Sequence, residues 1–170
     1  MRLSKDEALK LLAPWTEGPF TLEEAQERYG PLVERALKAR VLKPVPTRFG
    51  PVLVPGSQGR RALGLTRFYT PRPSSLEDLL CVRREAERLQ GEGYRLILLD
   101  RGRRPKALLE RGGLTTLVVS LVGEGRLAGR ELLRGVSRVV VVAPEGHPLP
   151  PLKRSEPKVE VRPVWMWASS

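Results

Sequence analysis

The chain has 170 residues and a formal net charge of +11, from 30 Lys and Arg against 19 Asp and Glu, a size that allows one large domain or two small ones. Hydrophobic residues make up 41%, enough for a packed core, and charges of both signs are mixed along the chain, which argues against wholesale disorder. No apolar run approaches the roughly 18 residues that cross a bilayer, and Met1-Arg2-Leu3-Ser4-Lys5-Asp6-Glu7 lacks the apolar stretch of a signal peptide, so the expectation is a soluble, cytoplasmic protein without membrane contact.

Ser4 and Glu7 have capping-box spacing, and Ala8, Leu9, Leu11, Leu12 and Trp15 come after them at helical period, which predicts a first helix interrupted by Gly18-Pro19. Thr21-Leu22-Glu23-Glu24 opens a second, short helix that ends at Tyr29-Gly30. Pro31 suits the first position of a third helix. There Leu32, Val33, Ala36, Leu37 and Leu42 keep the period until Pro44 stops it. Val45 to Pro55 reads as two short strands around a turn, with a short helix after them over Ser57–Leu65. Three helices and a β-hairpin in this order make a winged helix-turn-helix, which typically lays its third helix in the DNA major groove while the hairpin touches the backbone.

The exposed face of the third helix offers Arg35, Lys38 and Arg40, with Arg28 just before it; the hairpin offers Arg48, and Arg60 and Arg61 come next. Taken singly, each of these charges reads as a solvated face rather than a contact, and a winged helix also serves protein contact or dimerisation. Glu34 and the acidic second helix (Glu23, Glu24, Glu27) weaken an electrostatic grip, which favours a homodimer as the DNA-binding form.

Thr70-Pro71-Arg72-Pro73-Ser74-Ser75 is extended by its prolines, with Ser74 or Ser75 able to cap the next helix, so the expected domains are 1–72 and 73–170. Ser75 to Gly93 reads as one amphipathic helix, apolar at Leu76, Leu79, Leu80, Val82, Ala86 and Leu89 and polar at Arg83, Arg84, Glu85, Glu87 and Arg88. Tyr94–Asp100 is a buried strand, Arg101–Lys106 a basic turn, and Leu114–Val122 a second strand. Arg126–Gly135 has a helical pattern, Arg138–Val142 is a third strand and Val159–Trp165 a fourth. The overall class is α/β (α+β overall), an N-terminal winged helix followed by a small α/β sheet domain.

That second domain has two readings. A Rossmann-like or flavodoxin-like layer would bind a ligand at the carboxyl ends of parallel strands, but Gly123-Glu124-Gly125-Arg126-Leu127-Ala128-Gly129 matches neither a Walker loop nor a dinucleotide fingerprint, and Glu124 would repel phosphate. The other reading starts from Arg104-Pro105-Lys106-Ala107-Leu108-Leu109-Glu110, a strand, a basic helix ending in Leu132-Leu133-Arg134-Gly135, and Val139-Val140-Val141-Val142-Ala143-Pro144. This order resembles the replication-relaxation family of plasmids and mobile elements over most of residues 5–145. The resemblance implies a winged helix followed by a nuclease-like fold with a Pro-Asp-Ala-Leu segment, an acidic strand, and a helix leading to a strand that ends near Ala-Pro.

The departures from that pattern carry chemistry. A PD-(D/E)xK nuclease needs carboxylates on adjacent strands to hold Mg²⁺, which demands oxygen ligands, and a Lys near the scissile phosphate. Here Lys106 stands after Pro105, and Thr115 to Val122 contains no acid. An inactive nuclease-like domain is therefore expected, with no catalytic residue, metal or cofactor. Arg101, Arg103, Arg104 and Lys106 would hold phosphate without cutting it, or else form a solvated turn. The expected partner is double-stranded DNA. Two alternatives stand beside this reading: a transcription regulator whose second domain dimerises or senses a ligand, and an active nuclease using Asp100, Glu110 and Glu124.

Composition adds two points. Arg outnumbers Lys by 23 to 7, Asn is absent and Ile97 is the only isoleucine, which suits phosphate recognition and equally suits a GC-rich, heat-adapted coding bias. Cys81 and His147 are the only residues of their types, so an intrachain disulfide and a thiolate zinc site are excluded and Ser-His-Asp, His-metal and Cys-His chemistry is poorly supplied. Cys81 is expected to be buried, His147 at the surface, Trp15 in the core, and Trp165 and Trp167 in core or dimer contacts.

Overall fold

The computed structural model of the chain describes residues 3–66, 69–102, 104–123, 135–144, 146–147 and 158–163. It has the mixed α/β class expected from the sequence, with two sheets. The chain divides into two compact units, Met1–Leu76 and Glu77–Ser170, a division that falls inside a helix a few residues after the expected boundary at 72.

The first unit begins with α1 (Lys5–Leu11) and the single turn α2 (Ala13–Thr16), in place of the one continuous helix that the periodicity predicts. Ser4 caps α1 by accepting from the Glu7 N–H at 3.2 Å. In α3 (Leu22–Tyr29) the reciprocal capping box forms: Thr21 Oγ1 accepts from the Glu24 N–H, and Glu24 Oε1 accepts from the Thr21 N–H at 3.1 Å. These local bonds satisfy helix donors that would otherwise be orphaned, so the starts of both helices are set by four-residue motifs. Phe20, Leu12, Val33, Ala36 and Leu53 form the centre of the unit's core.

The third helix is shorter than its periodicity predicts. Helix α4 covers Leu32–Lys38 and stops because Arg40 turns into the left-handed region at φ 59°. The Val41 N–H then donates to the Ala36 carbonyl at 2.9 Å and the Arg40 N–H to Leu37 at 3.2 Å, a paired closure of the last turn. Leu42 consequently belongs to β1 (Leu42–Val45), which pairs antiparallel with β2 (Val52–Pro55). Pro44, expected as the helix stop, sits inside β1 and is tolerated because that side of the two-stranded sheet is an edge. Helix α5 (Ser57–Ala62) comes next. A Cβ on its Gly59 would collide with the Val41 carbonyl oxygen, so this glycine allows α5 to lie against the chain leaving α4.

The second unit is built on α6 (Pro73–Gly91), of which the first residues belong to the preceding unit, and a five-stranded sheet in the order β3-β4-β5-β6-β7. The strands are β3 (Arg95–Asp100), β4 (Lys106–Arg111), β5 (Leu114–Ser120), β6 (Arg138–Ala143) and β7 (Lys158–Pro163). Strands β3, β4 and β5 form an antiparallel meander, whereas β6 runs parallel to β5 and β7 parallel to β6. A doubly wound sheet is mostly parallel and reverses its strand order at the ligand crevice; here spatial order equals chain order.

Strand β4 departs from the sequence expectation, which puts Lys106 in a turn. The alternation of buried Ala107 and Leu109 with half-buried Lys106, Leu108 and Glu110 makes it a strand. Ala107, Leu109, Val118 and Val140 pack against Val82, Ala86 and Leu89 of α6, while Leu117, Val119, Val139 and Val141 form a second cluster on the opposite face. Central strands buried on both faces read as continuous apolar runs, as Val139–Val142 does. The helical pattern at Arg126–Arg134 and the residues Trp165 and Trp167 lie outside the described residues. Cys81 is buried and free, His147 is exposed, and Trp15 is half-buried against the first core. Among the described residues no helix is long and apolar enough to cross a membrane.

Candidate nucleic-acid interface

Helix α4 buries Val33 and Ala36 and turns Glu34, Arg35 and Lys38 outward. Lys38 pairs with Glu34 at 3.1 Å, but both side chains are more than 70% exposed, so the pair contributes only about 0.3–0.5 kcal/mol and is readily exchanged for another anion. Arg40 is exposed just past the helix end, and Arg48 is exposed in the turn between β1 and β2. The Arg40 carbonyl accepts from the Gln58 N–H at 2.9 Å, and the Val41 carbonyl from Gly56 at 2.9 Å. These bonds tie the end of α4 to the start of α5, so the backbone that presents Arg40 is held from both sides.

The remaining basic candidates of this unit are occupied differently. The Arg28 guanidinium lies 4.4 Å from the centre of the Phe20 ring, a stacking that holds it against the core. Arg60 is half-buried, with Nη1 donating to the Pro55 carbonyl at 3.4 Å, which makes it a brace between α5 and β2. Arg61 lines a cavity of about 320 Å³ with Lys5 and Gln58, beside the start of α1. Of the seven basic residues singled out in this unit, the structure therefore groups Arg35, Lys38 and Arg40 around the exposed end of α4. Of the acids that oppose them, Glu24 is engaged in its own helix cap.

In the second unit, Asp100 closes β3 and its Oδ1 accepts from the Gly102 N–H at 2.8 Å, which shapes the turn into β4. Arg101 is half-buried and Arg104 exposed, Pro105 is buried, and Lys106 is half-buried at the start of β4. Arg103 lies outside the described residues. Lys106 stands between Asp100 on β3 and Val119 on β5. Glu110 is four residues further along β4, opposite and ion-paired with Arg95. At the rise of a strand Glu110 is displaced about 13 Å along the sheet from Asp100, so the fold does not bring these two carboxylates together, and Glu124 is outside the described residues. Among the described residues no three His, Cys, Asp or Glu side chains gather as a metal-ligand set.

Sequence reasoning misses the burial of Glu77, Asp78 and Glu85 on α6, of which the last two fasten it to the sheet. Asp78, 1% exposed, accepts from Ser120 Oγ at 2.6 Å and from the Gly123 N–H at 2.9 Å. It thereby fastens α6 to the end of β5. Glu85, whose sequence position suggests a polar face, is fully buried; Arg88 donates to both its oxygens, and Arg162 of β7 approaches at 2.9 Å. The hydrogen bond that Arg88 donates to Glu85, with the added attraction of Glu85 and Glu92, holds its guanidinium above its already high ordinary pKa, against the opposing effect of burial. The available signals are the seven-residue spacing of Asp78 and Glu85, which puts both on one helix face, and the polar Ser120 ending the apolar run Leu117–Val119.

No protein-family model, no curated protein and no solved structure matches the chain.

Proposed function

We propose that this chain is a DNA-binding protein, a winged helix followed by a nuclease-like α/β domain that does not cut, acting in the replication, relaxation or regulation of a plasmid or other mobile element. The observation that carries the reading is the outward face of α4: Arg35 and Lys38 are exposed over a core-facing Val33 and Ala36, with Arg40 at the helix end and Arg48 in the hairpin turn. An exposed helix with a basic tip beside a short hairpin can enter a major groove while the hairpin neutralises backbone phosphate.

For the second domain, support comes from the meander followed by parallel strands, an order that among the described strands lacks the reversal of a doubly wound sheet. The non-catalytic reading rests on Lys106. A cation at the start of β4, between Asp100 and the apolar Val119, opposes the binding of a hard divalent ion that needs several oxygens.

The test is fluorescence anisotropy with a labelled duplex, paired with incubation of supercoiled plasmid with the protein and Mg²⁺ or Mn²⁺. Salt-sensitive binding with the plasmid left intact is the expected result. Cleavage that disappears in Asp100→Ala would overturn the non-catalytic reading, and no binding at low salt would overturn the reading as a whole.

A further inference from the structure

We infer that β3 is the surface through which two copies of this chain associate, strand against strand and antiparallel about a two-fold axis. Among the described residues strand β3 ends the sheet and is hydrogen-bonded to β4 alone. Its Ile97 and Leu98 are 44% and 50% exposed. An open edge with apolar side chains is a ready template for another strand.

The identity of the second strand is set by a bulge. The β3–β4 register steps from Leu96↔Leu109 to Leu98↔Leu108, so Ile97 is an extra residue. In a regular strand Arg95 and Asp100, five residues apart, would point to opposite faces. With the extra residue, Arg95, Leu98 and Asp100 all share the face that carries Glu110, Leu108 and Lys106, and Leu96 and Leu99 share the other. The order of faces along β3 is then the same in both directions.

A second copy laid antiparallel therefore puts Arg95 opposite Asp100 of the second copy, Leu96 opposite Leu99, and the Ile97–Leu98 step against itself. The row across each end of the junction becomes Glu110, Arg95, then Asp100 and Lys106 of the second copy, with signs alternating minus, plus, minus, plus. Parallel in-register pairing would set Arg95 against Arg95, which selects the antiparallel arrangement. Pairing uses up both β3 edges and closes on two copies, as an isologous interface does. The inference is independent of DNA binding.

Sedimentation velocity of the full chain over a concentration series tests it. The wild type is expected to dimerise, and Leu98→Lys to be monomeric with an unchanged circular dichroism spectrum. Arg95→Asp and Asp100→Arg should each lose self-association, and mixing the two variants should restore a dimer, because both junction pairs are then of opposite sign. Leu98→Cys should give a cross-linked dimer under mild oxidation at least tenfold faster than Leu114→Cys, a more exposed position away from β3; the native Cys81 is buried. A monomeric wild type, a dimer indifferent to both charge reversals, or equal cross-linking at positions 98 and 114 would overturn the proposal.

Discussion

Asp100, the last residue of β3, and Lys106, the first of β4, stand directly opposite each other across an antiparallel ladder. Opposite charges in this position stabilise a sheet and like charges destabilise it, by roughly 0.2–1 kcal/mol. Lys106→Asp, which sets two carboxylates opposite each other, is predicted to lower stability by about 1 kcal/mol, whereas Lys106→Met costs less than half of that. Urea denaturation checks both, with the midpoint moving and the slope constant.

The buried carboxylate of Asp78 receives the Ser120 hydroxyl and the Gly123 amide. Its removal takes the acceptor from the buried Ser120 hydroxyl and the half-buried Gly123 amide, so Asp78→Ala is predicted to cost roughly 2–4 kcal/mol. Ser120→Ala leaves the Gly123 bond in place and should cost roughly half as much. Amide hydrogen exchange at Gly123 separates the two: protection falls in Asp78→Ala and persists in Ser120→Ala.

Arg40 is the one non-glycine among the positive-φ residues described, at φ 59°. Arg40→Gly relieves a left-handed conformation and is predicted to stabilise the chain by about 1 kcal/mol, raising the melting temperature by roughly 4 °C. Under the proposed function the same change weakens duplex binding, because the charge at the end of α4 is lost. A melting temperature that falls would show that the Arg40 side chain, and not its backbone, stabilises this turn.

Where structure depends on neighbours a few residues away, it is legible in the sequence. The Ser4/Glu7 and Thr21/Glu24 caps are four-residue motifs whose bonds form within the helix they start, and the apolar runs of β5 and β6 identify themselves by composition. The end of α4 is not legible because the left-handed residue is Arg40, which carries no signal of the kind a glycine gives. Strand β4 is hidden because Lys106-Ala107-Leu108-Leu109-Glu110 alternates only once its partners β3 and β5 decide which side is buried. Arg83 and Glu85 read as a solvated face because helical period marks one apolar stripe, whereas α6 is buried around most of its circumference from Leu76 to Val82 and the Glu85 partner on β7, Arg162, is far along the chain. The basic surface of α4 is legible residue by residue; the stacking of Arg28 on Phe20 and the inward turn of Arg60 are not, since both depend on tertiary packing.

In the proposed function the end of α4 holds duplex DNA through phosphate contacts. This is tested most directly by the salt dependence of duplex affinity for the wild type and the double variant Arg35→Ala, Lys38→Ala. Each phosphate contact contributes close to 0.9 to the slope of log affinity against log salt, so the variant should bind more weakly with a slope shallower by roughly 2. Affinity and slope equal to those of the wild type at low salt would contradict the account.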